Sequence, residues 1–400
     1  MPLKDYRNQV WNCYRCSHGE YVGQWETRSS RFSKGCPSVS RYLWDTYACH
    51  GRMDCARALI DGNLEWTPVL VDALYKCQLC GFCDVQCKRM GVINVLDVLM
   101  EMRIKCVKDG KGPPPIWREI VERVRKQRNI YGESYERRLD FLSQEKRKIR
   151  GEIAYYTGCV SSYRQRNIVE DTLKILEIAN VDVAILPDES CCYLPLYEVG
   201  LIETIKGAMK HNLNVVKEAG AKRLLFSCPR CLTAFKDIYA KLENNPNLEY
   251  IHLTQLVTEL LNKDKIRFKS SHATVTYHDP CYLGRIQGIY DDPRFILENI
   301  PGVKLVEMDR TKENSWCCGA GGGVRIAYPD FAYWTAEERL KEAEITGADM
   351  IITACPECVD NLESALKMRE KEIAMQRRLE ILDISELLVK VIKGKVKDYE

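Results

Sequence analysis

Four closely spaced cysteines carry the most specific chemical signal in the sequence. Cys77, Cys80, Cys83 and Cys87 follow the spacing C-x2-C-x2-C-x3-C. Thiolates at this spacing hold a [4Fe-4S] cluster, with three cysteines on one tight loop and the fourth reaching a second cluster. The sequence therefore predicts ferredoxin-type iron–sulfur chemistry. Apolar residues at helical period on both sides of the loop predict that helices flank it.

A second, incomplete copy of this motif lies nearer the N-terminus. Cys13 and Cys16 form its opening pair, Gly19 stands where the third cysteine is expected, and Cys36 precedes Pro37. In two-cluster ferredoxins each fourth cysteine ligates the other cluster. We therefore expect one cluster on Cys36, Cys77, Cys80 and Cys83, and another on Cys13, Cys16 and Cys87.

The cluster on Cys13, Cys16 and Cys87 lacks one ligand in this assignment. Cys49 is the residue that we expect to supply it, and Cys55 is the next choice. A modified cluster and a histidine ligand, His18 or His50, are the remaining alternatives.

Ten further cysteines form one pattern twice. The first copy reads C-x31-CC-x35-C-x2-C and the second reads C-x35-CC-x36-C-x2-C. Their members are Cys159, Cys191, Cys192, Cys228 and Cys231, followed by Cys281, Cys317, Cys318, Cys355 and Cys358. Adjacent cysteines cannot easily take two corners of a cubane. Each copy therefore predicts either an atypical cluster in which one thiolate bridges two irons, or a cubane with a spare cysteine; the second copy favours the atypical cluster.

Two features beside the second copy suggest further functional residues. Its cysteine pair is followed by Gly319, Gly321, Gly322 and Gly323. These glycines are expected to let backbone N–H groups approach a negatively charged cluster. The first copy has Tyr193 in place of the first glycine, so we expect its cluster to be less tightly wrapped or differently exposed. His278, just before Cys281, is a candidate general acid for a departing thiolate, and ordering of the loop through hydrogen bonds is the alternative.

Secondary-structure patterns repeat together with the cysteines. Apolar, β-rich runs end shortly before cysteines and are separated by stretches of helical period. The runs span residues 153–156, 181–186, 223–226, 273–277, 303–308 and 350–353. This alternation predicts mainly parallel sheets, with cysteines gathered at the carboxyl ends of the strands. Thr254 and Ser385 are the expected N-caps of the helix that closes each copy.

The composition is that of a globular chain with several domains. The 400 residues include 59 basic and 56 acidic side chains, and the resulting charge of +3 gives no general attraction for nucleic acid or anionic membranes. Apolar runs stop well short of the roughly 18 residues that a membrane span needs. Because the N-terminus has no apolar signal core, we expect a cytoplasmic protein. Reduced cysteines in such numbers favour iron–sulfur sites over a disulfide framework or zinc.

The patterns divide the chain into four segments. We expect an α-helical ferredoxin-like domain over 1–111, a charged helical linker over 112–150, and two α/β repeats over 151–264 and 265–400. A solvated face is the default interpretation of the linker's charges, and docking to an acidic partner subunit is the alternative.

With both copies in view, the chain resembles the CCG-domain family of cysteine-rich iron–sulfur oxidoreductases. The segments HDPCYLGR, WCCGAGGG and ACPEC match its motif, and the domain order resembles the D-type subunit of heterodisulfide reductase. The resemblance covers residues from about 70 to the end. It implies an N-terminal α-helical ferredoxin module followed by two tandem α/β CCG repeats. The chain departs from the family pattern in the incomplete motif at Cys13–Cys36 and at Tyr193.

The resemblance also implies cofactors, activity and partners. The ferredoxin module would hold two cubanes, and each repeat would hold a non-cubane [4Fe-4S] cluster on its five cysteines. In heterodisulfide reductases the paired clusters split a disulfide, and the implied partners are a flavin-containing subunit of the heterodisulfide reductase A type and other redox subunits. Similar subunits act as electron relays in larger flavin and iron–sulfur complexes such as class II benzoyl-CoA reductase. That relay is the alternative function.

Overall fold

The N-terminal part of the chain is helical. The computed structural model describes residues 1–23, 25–89, 93–143, 145, 147–241, 248–372 and 379–394. Its first helices are the 3-10 helices Leu3–Tyr6 and Asp45–Tyr47 and the α-helices α1 (Arg7–Trp11), α2 (Pro37–Tyr42), α3 (Cys49–Ile60), α4 (Pro68–Tyr75), α5 (Phe82–Arg89) and α6 (Val95–Lys108). Thr67 caps α4, because its hydroxyl accepts a hydrogen bond from the N–H of Leu70 at 3.2 Å. Cys106 is a buried residue of α6.

The segment predicted as a charged linker packs against the second repeat. Helix α7 (Ile116–Gln127) is followed by the 3-10 helix Tyr135–Leu139. The helix buries Trp117, Ile120 and Val124, while its charged residues lie on the other side. A Cβ atom at Gly323 would lie 2.6 Å from the Trp117 ring. The apolar face of α7 therefore packs, through Trp117, against the glycine run of the second repeat at Gly323.

The first repeat is a four-stranded parallel sheet with the strand order β2-β1-β3-β4. Its strands are β1 (Ile153–Tyr156), β2 (Val183–Ile185), β3 (Arg223–Phe226) and β4 (Glu249–His252). The helices between and after them are α8 (Cys159–Tyr163), α9 (Arg166–Ile178), α10 (Leu194–Glu198), α11 (Ile202–Ala219), α12 (Pro229–Thr233), the π-helix Ala234–Ile238, the 3-10 helix Tyr239–Lys241 and α13 (Leu253–Asn262). Every residue of β1 is buried, as expected for a central strand covered on both faces.

The second repeat has the same topology, with the parallel strand order β7-β6-β8-β9. Its strands are β6 (Ala273–His278), β7 (Val303–Leu305), β8 (Met350–Thr353) and β9 (Glu380–Asp383). Its helices are the π-helix Tyr282–Ile286, α14 (Asp291–Glu298), the 3-10 helix Lys312–Asn314, α15 (Val324–Ala327), α16 (Pro329–Ile345), α17 (Pro356–Glu372) and α18 (Ile384–Val391). The prediction of tandem α/β repeats with parallel sheets is confirmed.

Helices of the two repeats pack on one another across their interface. Helix α13 of the first repeat packs on α14 of the second, and α18 of the second packs on α9 of the first. A short antiparallel ribbon of β5 (Ile266–Phe268) and β10 (Ile392–Gly394) joins the connection between the repeats to the last described strand. Both repeats are thereby held in one packed unit. Among the described helices, none has both the length and the apolar character needed to cross a bilayer.

The predicted N-caps of α13 and α18 are wrong by two residues. His252 caps α13, since its Nδ1 accepts the N–H of Thr254 at 3.3 Å. Asp383 caps α18, since its Oδ1 accepts the N–H of Ser385 at 3.0 Å. Each helix starts directly at the end of a strand without an intervening turn. Thr254 and Ser385 therefore lie inside the first turn and donate the N–H groups that are capped.

Candidate iron–sulfur centres

A cavity of about 170 Å³ lies among the N-terminal loops. Five cysteines line it: Cys13, Cys16, Cys49, Cys83 and Cys87. We call Cys13, Cys16, Cys49 and Cys87 the distal centre, because the sequence assigns Cys83 to the neighbouring cluster. His18 and His50 also border the cavity. Its volume is several times the roughly 30 Å³ that one water molecule occupies in the liquid. Five thiols around a space of this size fit a polynuclear cluster better than a single ion.

Gly19 accounts for the missing cysteine of the incomplete motif. A Cβ atom there would lie 2.9 Å from the Cβ of Cys83 and 3.1 Å from the Cβ of Cys49. The main chain thus leaves no room for a side chain at this position, and Cys49 enters the cavity from the start of α3 instead. Among the described residues that line the cavity, Cys55 does not occur. The Nδ1 atom of His50 lies 3.0 Å from the Oε1 atom of Glu20.

The proximal centre consists of Cys36, Cys77, Cys80 and Cys83. The thiol of Cys36 lies beside those of Cys80 and Cys83, and Cys83 contacts Cys49 of the distal centre. The two centres therefore adjoin, as the ferredoxin pattern requires. Burial raises the pKa of Cys36 to about 12. A bound metal would supply the positive charge that holds such a buried sulfur as a thiolate.

The five cysteines of the first repeat meet at the carboxyl ends of β1, β2 and β3. We call Cys159, Cys191, Cys192, Cys228 and Cys231 the first repeat centre. Their thiols contact one another in the order Cys159, Cys191, Cys192, Cys231 and Cys228, and the first two sulfurs are 3.9 Å apart. All five predicted ligands are thus within reach of one shared group.

The second repeat centre has the same arrangement. It consists of Cys281, Cys317, Cys318, Cys355 and Cys358. Their thiols contact one another in the order Cys281, Cys317, Cys318, Cys358 and Cys355. In both repeats the adjacent cysteine pair lies in the middle of the series, where one sulfur can face two metal ions.

In both repeats the residue directly after the cysteine pair has a positive φ. Gly319 has a φ of +98° and its N–H donates to the Cys317 sulfur at 3.3 Å. Tyr193 adopts the left-handed region at a φ of +59°, and its N–H donates to the Cys191 sulfur at 3.4 Å. The N–H to sulfur hydrogen bond at this corner is thus present with tyrosine as well as with glycine. The exposure of the two centres differs at Cys159, which is partly exposed, whereas all other repeat cysteines, each of which the structure describes, are buried.

The later glycines of the run allow a close approach of two main chains. A Cβ atom at Gly321 would lie 2.7 Å from the carbonyl oxygen of Gln78, and one at Gly322 would lie 2.3 Å from that of Cys77. Gly323 lies against Trp117. These glycines bring the second repeat onto the loop of the proximal centre, a tertiary role in addition to the predicted approach to a cluster.

His278 is fully buried at the second repeat centre. The Nε atom of Arg339 donates to its Nδ1 atom at 3.1 Å, which assigns the ring proton to Nε2. The side-chain nitrogen and the sulfurs of Cys318 and Cys358 lie within 4.8 Å of one another. Burial lowers the pKa of His278. The ring is therefore neutral and lies beside Cys318, and its Nε2 atom has no hydrogen-bond partner among the described residues.

The centres contact one another in series. The Cys80 thiol of the proximal centre contacts Cys317 of the second repeat centre. Cys355 of the second repeat centre contacts Cys228 of the first. Together with the contact between Cys49 and Cys83, these contacts connect all four centres.

Buried arginines at these junctions were not found from the sequence. Arg103 donates to the carbonyl oxygens of Cys77, Glu198 and Gly322 at 2.7, 2.8 and 2.8 Å. It therefore joins the ferredoxin module to both repeats. Arg230, between Cys228 and Cys231, pairs with Glu198 and Glu357. The sequence does contain one signal for the pair of Arg230 and Glu357: the two C-P-x-C loops, CPRC and CPEC, carry opposite charges at the same position.

Comparisons with known proteins identify the family of this chain. Residues 153–236 and 275–363 match the cysteine-rich domain family CCG. The chain is 35% identical over 386 residues to the D-type subunit of the dihydromethanophenazine:CoB–CoM heterodisulfide reductase of Methanosarcina barkeri, and the alignment covers 92% of each chain. The corresponding subunit of Methanosarcina acetivorans is 38% identical over 299 residues, 73% of this chain and 72% of that one. An EtfAB:quinone oxidoreductase of Syntrophomonas wolfei is 26% identical over 84% of this chain and 48% of its own.

The fold and the thiol centres define an iron–sulfur oxidoreductase with paired cysteine-rich domains. The chain belongs to the family of the D-type subunits of heterodisulfide reductase. The curated relatives of that name are subunits of redox complexes, so electron transfer with other redox subunits is the general activity of this class.

Proposed function

We propose that this chain passes electrons from two ferredoxin-type cubanes to a non-cubane [4Fe-4S] cluster in each repeat, and that the two repeat clusters reduce a disulfide. The observation that carries the proposal is the series of sulfur contacts, in which Cys80 contacts Cys317 and Cys355 contacts Cys228. Each contact joins ligands of two different centres. An electron that enters the ferredoxin module thus has a continuous path to both repeats.

The distal centre is the proposed point at which electrons enter. Cys16 is exposed, and Tyr14, which lines the same cavity, is 77% exposed. Exposed aromatic residues are frequent anchors of protein interfaces. We assign this surface to a flavin-containing subunit of the heterodisulfide reductase A type.

Reduction of a disulfide needs two electrons and two protons and releases two thiols. The clusters, when bound, supply one electron to each half of the disulfide. Cys159 marks the side from which a substrate sulfur can reach the repeat centres, because it is partly exposed. His278 holds its ring proton toward Cys318, so we assign it hydrogen bonding to that ligand rather than the predicted general acid role.

An electron-transfer relay is the second candidate function. Its support is the burial of Cys191, Cys192, Cys228, Cys231 and the five cysteines of the second repeat centre. Buried ligands suit electron transfer, because electron transfer needs no contact between a substrate and the cluster. In that case the chemistry takes place in a partner subunit of a larger flavin and iron–sulfur complex.

Low-temperature EPR of anaerobically purified, oxidised protein separates the two functions. Iron and acid-labile sulfide are counted first, and about sixteen of each per chain are expected from four [4Fe-4S] clusters. The protein is then mixed with substrate thiols. A new paramagnetic signal that needs the thiol supports disulfide chemistry at a repeat centre. Full cluster content without such a signal supports the relay, and a colourless zinc protein contradicts both.

A further inference from the structure

Arg285 lies at the junction between the ferredoxin loop and the second repeat. Its Nε atom donates to the carbonyl oxygen of Cys80 at 2.6 Å. Its Nη1 atom donates to the carbonyl oxygens of Ser315 and Glu313 at 2.6 and 3.1 Å. One guanidinium group thus joins the loop that carries Cys80 to the loop that leads into Cys317.

The remaining nitrogen of this side chain has no acceptor among the described residues. The Nη2 atom of Arg285 is buried and makes no hydrogen bond within the described part of the chain. The guanidinium charge acts on the thiols of Cys80, Cys281 and Cys317. An unpaired buried donor is costly, and the sulfurs of a bound cluster are acceptors that its surroundings would provide.

The arginine occurs in only one of the two repeats. It stands four residues after Cys281, whereas the position four residues after Cys159 is Tyr163. The repeat with the arginine is the one whose cysteine contacts the proximal centre through Cys80. This asymmetry matches a role in communication with the ferredoxin module.

We propose that Arg285 bridges the proximal centre and the second repeat centre, with Nη2 donating a hydrogen bond to cluster sulfur and the guanidinium charge stabilising the reduced state of both. The inference rests on the proposed function, which supplies the electron path between these centres. One electron leaves the reduced proximal centre and arrives at the oxidised second repeat centre. The guanidinium stays protonated, and no bond forms or breaks.

The test uses full-length, cluster-loaded protein with Arg285→Met, which removes the charge, and Arg285→Lys, which keeps it. Hydrogen bonds and positive charge near a cluster raise its reduction potential. In EPR-monitored redox titrations, Arg285→Met should lower the potentials of the proximal and second repeat centres and leave the other two unchanged. Arg285→Lys should show a smaller shift.

The control is Arg267→Met, which removes an exposed arginine that pairs with Asp264. This control should leave all four potentials unchanged. If Arg285→Met retains its iron and all its potentials, Arg285 is only a clamp between loops and the proposal is overturned.

Isotope labelling keeps the proposal testable even if the Met variant loses its clusters. Wild-type protein labelled with ¹⁵N-arginine should show a ¹⁵N hyperfine coupling at a reduced centre that is missing in Arg285→Lys. If the wild-type centres interact magnetically but show no such coupling, the role of Arg285 is refuted. If the proximal and second repeat centres do not interact at all, the proposed electron path itself fails.

Discussion

Arg230 and Glu357 occupy the same position in the two C-P-x-C loops and form an ion pair across the interface of the repeats. Arg230 also pairs with Glu198, and the Tyr282 hydroxyl donates to Glu198. The side chains of Arg230 and Glu198 are only 7% and 1% exposed. This network lies beside the contact between Cys228 and Cys355 and fixes the two repeat centres relative to each other.

Arg230→Met should be strongly destabilising. It leaves the buried Glu198 and the partly buried Glu357 without their cation, and breaking a buried pair costs about 3–5 kcal/mol. Glu357→Gln should cost less, because Arg230 keeps its pair with Glu198. Anaerobic thermal unfolding, with iron counts on each variant, measures the difference. Equal destabilisation by the two variants would contradict the role of Arg230 as the cation of both carboxylates.

Cys49→Ser should remove the distal cluster. Because Cys49 lines the cavity and Cys55 does not, the Cys49 variant should lose about four irons per chain. Cys55→Ser is the matched control, since it makes the same change in the same helix and should retain its iron. Iron and sulfide analysis with EPR decides the case. Loss of iron in the Cys55 variant alone would assign the fourth ligand to Cys55.

Gly319→Ala should damage the second repeat centre. Its φ of +98° is unfavourable for alanine, and the added Cβ would lie 2.3 Å from the carbonyl oxygen of Ala332. We expect loss of the second repeat cluster and destabilisation of more than about 1 kcal/mol. Gly347→Ala is the control, because it also has a positive φ but has nothing within 4 Å of the added atom. Equal iron content in the two variants would contradict the steric argument.

Asp383 should make the stability of the second repeat depend on pH. Burial raises the pKa of Asp383 to about 7, above its ordinary value of 3.8. Between pH 3.8 and about pH 7, Asp383 is therefore protonated in the folded state but ionised in the unfolded state. Stability should therefore fall as the pH rises through this window, by up to about 1.4 kcal/mol per pH unit.

Asp383→Asn tests this pH dependence directly. Asparagine is also a good N-cap for α18, so the cap should survive while the titrating group is lost. Unfolding followed between about pH 5.5 and pH 7.5 should show a flatter profile in the variant than in the wild type. Asp291→Asn, a change at an exposed residue, should keep the wild-type slope. An unchanged slope in Asp383→Asn would show that Asp383 is ionised throughout.

The sequence by itself determined the repeated α/β units and the cysteine patterns. Three of the predicted strands, 153–156, 223–226 and 350–353, coincide with β1, β3 and β8. Strands and ligand loops are local features, because alternation of apolar residues and the spacing of cysteines depend only on neighbouring residues. The family and the general iron–sulfur chemistry follow from the same local motifs.

Only the tertiary structure decided which cysteines share a cavity and what lies between the centres. Cys49 enters the distal centre because the main chain at Gly19 has no room for a side chain. Arg285 and Cys80 meet although they are 205 residues apart in the sequence. Periodicity and spacing carry no information on such contacts, because they arise from packing one domain on another. The arginines at these junctions look like ordinary charged residues until the fold buries them.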